Sequence, residues 1–119
     1  MNRQALGHAG EKRAARFLRK EGLGIIARNW RCSAGEIDIV ARDGDTLVIV
    51  EVRSSQSSFA GLPELTVGPQ KQRRLVILAQ HYLDQCKWRP DSIRIDVVGV
   101  SRRGLWKWDI RWYREAFSV

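Results

Sequence analysis

The spacing of apolar residues along the chain changes period several times, and each change marks an element. Between residues 4 and 21, Leu6, Gly10, Ala14 and Phe17 recur every three or four positions, while Arg13, Arg16, Arg19 and Lys20 occupy much of the remaining surface. That is the pattern of an amphipathic helix, and Gly22, followed by Gly24, is its stop signal. Residues 24–31 predict a first strand and Ser33-Ala34-Gly35 a turn. Two runs rich in β-branched residues follow at 36–41 and 46–53. Arg42-Asp43-Gly44-Asp45 joins them, and its Asp-Gly pair signals a hairpin. Residues 54–68, with their serines, Gly61, Pro63 and Gly68, predict a mobile loop. Pro69 suits the first position of a second helix reaching about Cys86, in which Leu75, Leu78, Ala79, Tyr82 and Leu83 keep helical spacing. Alternation at 92–100 and at 105–112, around the turn Arg102-Arg103-Gly104, predicts two last strands. The order α-β-β-β-α-β-β is an α/β mixed sheet with helices packed on it. With no repeat and no linker long enough to divide the chain, it is read as one domain over residues 1–119.

The chemistry concentrates in the first hairpin. Alternate residues of a strand share a face. With Asp43-Gly44 as a two-residue turn, Arg42 faces Asp45, Asp38 faces Ile49 and Glu36 faces Glu51. Glu36, Asp38, Glu51 and Arg53 then emerge on one side of the sheet. A slip of one residue would send Glu51 to the other side. Carboxylates opposed on neighbouring strands repel. A divalent cation such as Mg²⁺, which takes carboxylate and water oxygens, would relieve that repulsion. A plainer reading leaves Glu36 and Glu51 at exposed strand ends beside arginines. Glu11 shares a helical face with Ala14 and Leu18, which would carry it over the sheet; the helix dipole alone also favours a glutamate there. Lys71 opens the second helix, where backbone N–H groups suit a phosphate, although Gln70-Lys71-Gln72-Arg73-Arg74 equally reads as a solvated basic face. From Arg102 to Trp108 cations alternate with aromatics, as on nucleic-acid surfaces. The strand spacing of Trp106, Trp108 and Trp112 points instead to core packing for at least two of them.

Charge narrows the partners. Twenty-one lysines and arginines against 13 acids give a net charge of +8, which suits a polyanion. Cys32 and Cys86 lack the spacing of a zinc site or a disulfide framework and read as buried thiols in a reducing compartment. The first residues lack the apolar core of a signal peptide, and no run approaches the ~20 apolar residues that cross a bilayer. A cytoplasmic protein is the expectation.

Certain stretches carry a resemblance to a known family: Gly10-Glu11 with Ala14, Arg28-Asn29-Trp30-Arg31, Gly35-Glu36-Ile37-Asp38-Ile39, Val50-Glu51-Val52-Arg53, Lys71 with Arg74 and Ala79, and Arg94-Ile95-Asp96-Val97-Val98. Over nearly its whole length the chain resembles the YraN-like family of small, largely uncharacterised bacterial proteins predicted to be endonucleases. That family is similar in turn to archaeal Holliday-junction resolvases and the PD-(D/E)xK nuclease superfamily. The resemblance implies a restriction-endonuclease-like domain and a Mg²⁺- or Mn²⁺-dependent endonuclease acting on DNA, with branched DNA and a homodimer as expectations by analogy. Glu11 takes the place of the helix acid, Asp38 and Glu51 those of metal ligands, and the Val52 carbonyl that of a further ligand; Glu36 matches a family position. Lys71, Arg74, Arg28 and Arg31 are the expected nucleic-acid contacts. Arg53 stands where the superfamily has lysine. An arginine stays protonated and orients or neutralises without acting as a base, so Lys71 is the candidate to stand in. Ser54 and Ser55 also follow where a basic residue is usual. The rival readings are a nucleic-acid-binding module without catalysis and a basic partner of an acidic protein.

Overall fold

The computed structural model describes residues 2–55 and 67–116. Its first helix, α1 (Arg3–Lys20), starts where the Asn2 side chain accepts the Ala5 N–H at 2.7 Å, replacing a donor partner the helix itself cannot supply. It ends with the Glu21 N–H on the Phe17 carbonyl and the Gly22 N–H on the Arg19 carbonyl, Gly22 adopting φ +99°. Strands β1 (Gly24–Cys32), β2 (Gly35–Asp43) and β3 (Thr46–Ser55) follow, then α2 (Pro69–Gln85), β4 (Ser92–Arg103) and β5 (Lys107–Tyr113). This is the expected α-β-β-β-α-β-β order of a mixed α/β sheet flanked by helices. The loop expected at 54–68 lies outside the described residues for 56–66, while Ser54 and Ser55 extend β3.

The five strands lie side by side in chain order, antiparallel except for β3 and β4, which run parallel across α2. α1 covers one face of the sheet and α2 the other. On the α1 side, Ala14, Ala15 and Leu18 pack on Ile39, Ala41, Val48, Val50, Val98 and Val100. On the α2 side, Leu75, Leu78, Ala79 and Tyr82 pack on Ile37, Val40, Leu47, Ile49 and Ile95. Leu47 to Val50 are therefore buried on both faces, which explains why 46–53 reads as a nearly unbroken apolar run rather than an alternation. Trp108 and Trp112 join the α1-side core, Trp112 packing edge-on against Phe17, whereas Trp106 does not.

The hairpin register differs from the expected one. The ladder runs Asp43↔Thr46, Arg42↔Leu47, Ala41↔Val48, Val40↔Ile49 and Ile39↔Val50, so the two-residue loop is Gly44-Asp45. Gly44 takes φ +60° in the first loop position, as a type II′ turn requires. Asp43 stays in the strand, where its carboxylate pairs with Arg94 at 2.9 Å and Arg114 at 3.2 Å. Glu36 accordingly does not face Glu51; it pairs with Arg31 on β1. Because the shift is two residues, strand parity survives, and continuing the ladder brings Asp38 level with Glu51.

The expected single acidic face is also corrected. Ile37 lies in the α2-side core while Ile39 lies in the α1-side core, so alternation breaks at Asp38. β1 is irregular nearby: its register shifts between Ile25 and Ala27, and Asn29 has φ +54°, a conformation asparagine tolerates better than most residues.

Candidate active site

Backbone pairing between β2 and β3 stops at Ile39↔Val50, and the side chain of Asp38 takes over: its Oδ2 accepts the Val52 N–H at 2.8 Å. The hairpin is thus closed by a carboxylate rather than a carbonyl, which fixes Asp38 against the start of the Glu51–Arg53 segment. Glu11 reaches the same place from α1. Its neighbours are Glu36, His8, Arg28 and Asn29, and the Asn29 side chain hydrogen-bonds it. Glu51 is met from the other side, with Lys71 Nζ of α2 2.8 Å and Arg53 Nε 3.4 Å from its Oε1. The two helices on opposite faces of the sheet therefore each send one ionisable side chain to the point where β2 and β3 part.

Burial and mutual repulsion dominate the electrostatics. Burial, then Glu51, and further Glu11 and Glu36 push the Asp38 carboxyl up to about 7, against the opposing pull of the Val52 N–H. Burial, then Glu36, raises Glu11 above the ordinary carboxylate range, with His8, Asn29 and Arg28 acting in the other direction. One oxygen of Glu11, Oε2, is buried without a hydrogen-bond partner among the described residues, and so is Arg53 Nε. Unsatisfied buried polar atoms are costly and uncommon. Both lie in this one cluster, Arg53 Nε beside Glu51 Oε1 at 3.4 Å.

The expected basic contacts ring the acids. Arg31 lies 3.7 Å from Glu36, Arg28 is among the charges felt by Glu11, and Arg74 lies over Gly35, at the turn that leads into Glu36. Glu11, Glu36, Asp38, Glu51, Arg53, Lys71 and the three arginines thus form one neighbourhood. The motif reading included Asn29 without giving it a role, and its left-handed backbone is the signal that a side chain is being aimed there. A cavity of about 490 Å³ opens beside Glu11, lined by Arg3, Gln4, Gly7, Val52 and Ser54 among others; no periodicity in the sequence marks it.

A second polar cluster is complete in itself. Asp96, fully buried, accepts Arg94 Nε at 2.9 Å, Trp112 Nε1 at 2.9 Å and the Glu115 N–H at 2.9 Å. It ties the chain after β5 to β4 with every partner supplied, and it offers no open position for a ligand. Cys32 and Cys86 are free and half-buried rather than fully buried, with the Cys86 thiol on the Trp88 carbonyl. Among the described residues no helix is long and apolar enough to cross a membrane.

The acids themselves offer carboxylate oxygens, the kind that Mg²⁺ and Mn²⁺ take. Asp38 and Glu51 stand together, and Glu11 has an oxygen without a hydrogen-bond partner among the described residues. The residues present fit a divalent cation on these grounds. Among the described residues no three acid, histidine or cysteine side chains form a ready-made cage.

The sequence model of the uncharacterised protein family UPF0102 matches residues 10–100. Among similar proteins, one UPF0102 protein of Streptomyces griseus is 52% identical over 86% of this chain and 88% of its own. Another, of Herminiimonas arsenicoxydans, is 41% identical over 98% of this chain and 89% of its own. Among solved structures, SfsA of Pyrococcus furiosus in complex with Ca²⁺ aligns with a TM-score of 0.45 at 16% identity, over 98% of this chain and 65% of that one.

Proposed function

This chain belongs to the uncharacterised protein family UPF0102, and we propose that the acid cluster between β2 and β3 is the centre of a divalent-cation-dependent endonuclease that hydrolyses phosphodiester bonds of DNA. The observation that carries the reading is the convergence of Asp38, Glu51, Glu11 and Glu36 at the end of two apolar strands, with a buried Glu11 oxygen that has no hydrogen-bond partner among the described residues and an Asp38 carboxyl raised to about 7. The family resemblance read from the motifs points the same way.

Asp38, Glu51 and the Val52 carbonyl would hold the ion, with Glu11 and Glu36 beside them. When bound, Mg²⁺ or Mn²⁺ lowers the pKa of water and neutralises charge on a phosphate under attack. The chain's own residues do the rest. The Val52 N–H fixes Asp38, so the carboxylate does not depend on the ion for its position. Lys71 and Arg53 flank Glu51 and bring two cations to the place where a phosphate would carry developing negative charge. Lys71 thereby supplies from α2 the ammonium that the superfamily pattern places on β3. Arg28, Arg31 and Arg74 hold the backbone in register as phosphate contacts, which carry no sequence information.

Cleavage of end-labelled linear, flapped and four-way DNA in Mg²⁺ and in Mn²⁺ is the test. The wild type is expected to cut only with metal, and Asp38→Asn and Glu51→Gln to lose cutting by at least about 10³-fold while still binding DNA. A wild type that binds all three DNAs and cuts none would leave the non-catalytic binding module instead. The observation favouring that second reading is Arg53, a permanently charged guanidinium 3.4 Å from Glu51 where a base would otherwise stand.

A further inference from the structure

The β4–β5 connection is a three-residue loop, Gly104-Leu105-Trp106, closed by the pair Arg103↔Lys107, with Gly104 at φ +80°. Leu105 is 73% and Trp106 92% exposed. The two other tryptophans of this hairpin are engaged: Trp108 lies under Arg13 at 4.2 Å, and Trp112 lies edge-on to Phe17 and hydrogen-bonds Asp96. Trp106 is different in kind. A large aromatic ring offered whole to solvent at a loop tip stabilises nothing in the fold, and such rings serve contacts with partners.

Its surroundings say which partner. Arg102, Arg103 and Lys107 flank it. Among the described residues one acid, Asp109, stands nearby and is already paired with Arg103 at 3.0 Å, so these residues give the tip a surplus of positive charge. Its place in the fold says the same. β3 and β4 run parallel with Glu51 level with Val97, and six further residues of β4 lead to Arg103. At ~3.3 Å per residue the tip stands about 20 Å beyond the acid cluster, at the same end of the sheet as Ser54 and its cavity. That distance is about six base pairs of duplex at 3.4 Å per step.

We propose that the β4–β5 tip is a stacking platform for an unpaired base of the nucleic acid held at the acid cluster, with Trp106 under the base and Arg102 and Lys107 on the flanking phosphates. The inference rests on the nucleic-acid reading of the preceding section. It adds a preference for DNA that carries a single-stranded stretch about six base pairs from the scissile position. Every base has a π-face, so a tryptophan selects for the unpaired state rather than for sequence, and an arginine or lysine beside it tracks the backbone.

The test is fluorescence anisotropy on two labelled DNAs, one a fully paired hairpin and the other the same duplex with a ten-nucleotide single-stranded arm. Binding is read without metal for the wild type, Trp106→Ala and Trp106→Phe. Trp106 is exposed, so Trp106→Ala folds as the wild type does, checked by its circular dichroism and Tm. The wild type is expected to prefer the armed DNA, with quenching of tryptophan fluorescence. Trp106→Ala should lose about tenfold on the armed DNA and nothing on the paired one, and Trp106→Phe should keep most of the preference. Equal binding of the armed DNA by the wild type and Trp106→Ala overturns this proposal and leaves the nuclease reading standing. Failure of every form to bind either DNA overturns both. If Trp106→Ala binds DNA normally and instead loses self-association in sedimentation, or loses binding to anionic phosphatidylserine vesicles, the tip belongs to another copy or to a lipid surface and the proposal falls.

Discussion

Asp38 sits with one oxygen on the Val52 N–H and three other carboxylates around it, and its carboxyl titrates near 7 in the fold against 3.8 for the free group. The sign of the linkage follows. Below about pH 3.8 the group is protonated in both states and costs the fold nothing. As pH rises towards 7 the unfolded chain releases the proton while the fold retains it. The contribution of this group to stability without metal therefore falls by about 1.4 kcal/mol per pH unit across that window. Asparagine keeps the acceptor and removes the charge, so in chelator Asp38→Asn should be more stable than wild type at pH 8, the gap closing towards pH 4. Urea denaturation at stepped pH checks this, and a gap that does not change with pH would contradict the burial and repulsion argument. Lys71 and Arg53 both approach Glu51, and their roles separate by substitution. Lys71→Ala should slow metal-dependent cleavage by about 10²–10⁴-fold, and adding Arg53→Lys should restore part of it by returning an amine to β3. Cleavage rates decide, and a Lys71→Ala enzyme as fast as wild type would hand the role to Arg53.

At the scale of elements, α1 approaches β3 closely enough that a Cβ at Gly10 would collide with the Ser54 hydroxyl, whereas Gly7 one turn earlier faces open space. Gly10→Ala should destabilise by about 1–3 kcal/mol and be relieved by adding Ser54→Gly. Gly7→Ala should instead stabilise α1 by about 0.5–1 kcal/mol. Thermal melts of the three variants distinguish close packing from mere helix propensity. The Ser54 contact also shows why elements were legible in the sequence and their fit was not. Helical spacing at Leu75, Leu78, Ala79 and Tyr82 and the β-branched runs of β2 and β3 are local signals, and all appear as elements. Register is set by competition among turns. Asp43-Gly44 is the stronger local signal, but Asp43 finds Arg94 and Arg114, 51 and 71 residues away, and stays in the ladder. The two-residue shift preserves parity within the ladder, but the expected single acidic face is lost where alternation breaks at Asp38. The break of alternation at Asp38, and Asn29 with its positive φ, depend on tertiary packing that periodicity does not carry.

On the scale of the whole molecule, the sheet places its most apolar strands at the centre and its chemistry where two of them part, with α1 and α2 bringing Glu11 and Lys71 from opposite faces. A chain of net charge +8 nevertheless concentrates four acids at one point, and the proposed cation and polyanion both rest on that arrangement. Resemblance of motifs made those acids candidates, and the fold brings them together. The cavity beside Glu11 and the exposed Trp106 have no counterpart in hydrophobic patterning, since both depend on which side chains are left uncovered. The measurement that tests the central claim most directly is a calorimetric titration of Mn²⁺ into the wild type beside Asp38→Asn and Glu51→Gln. The account predicts saturable binding to the wild type that is lost in both variants, with binding to the wild type weakening as pH falls below about 7. Absence of binding in the wild type, or binding unchanged in Asp38→Asn, would contradict it.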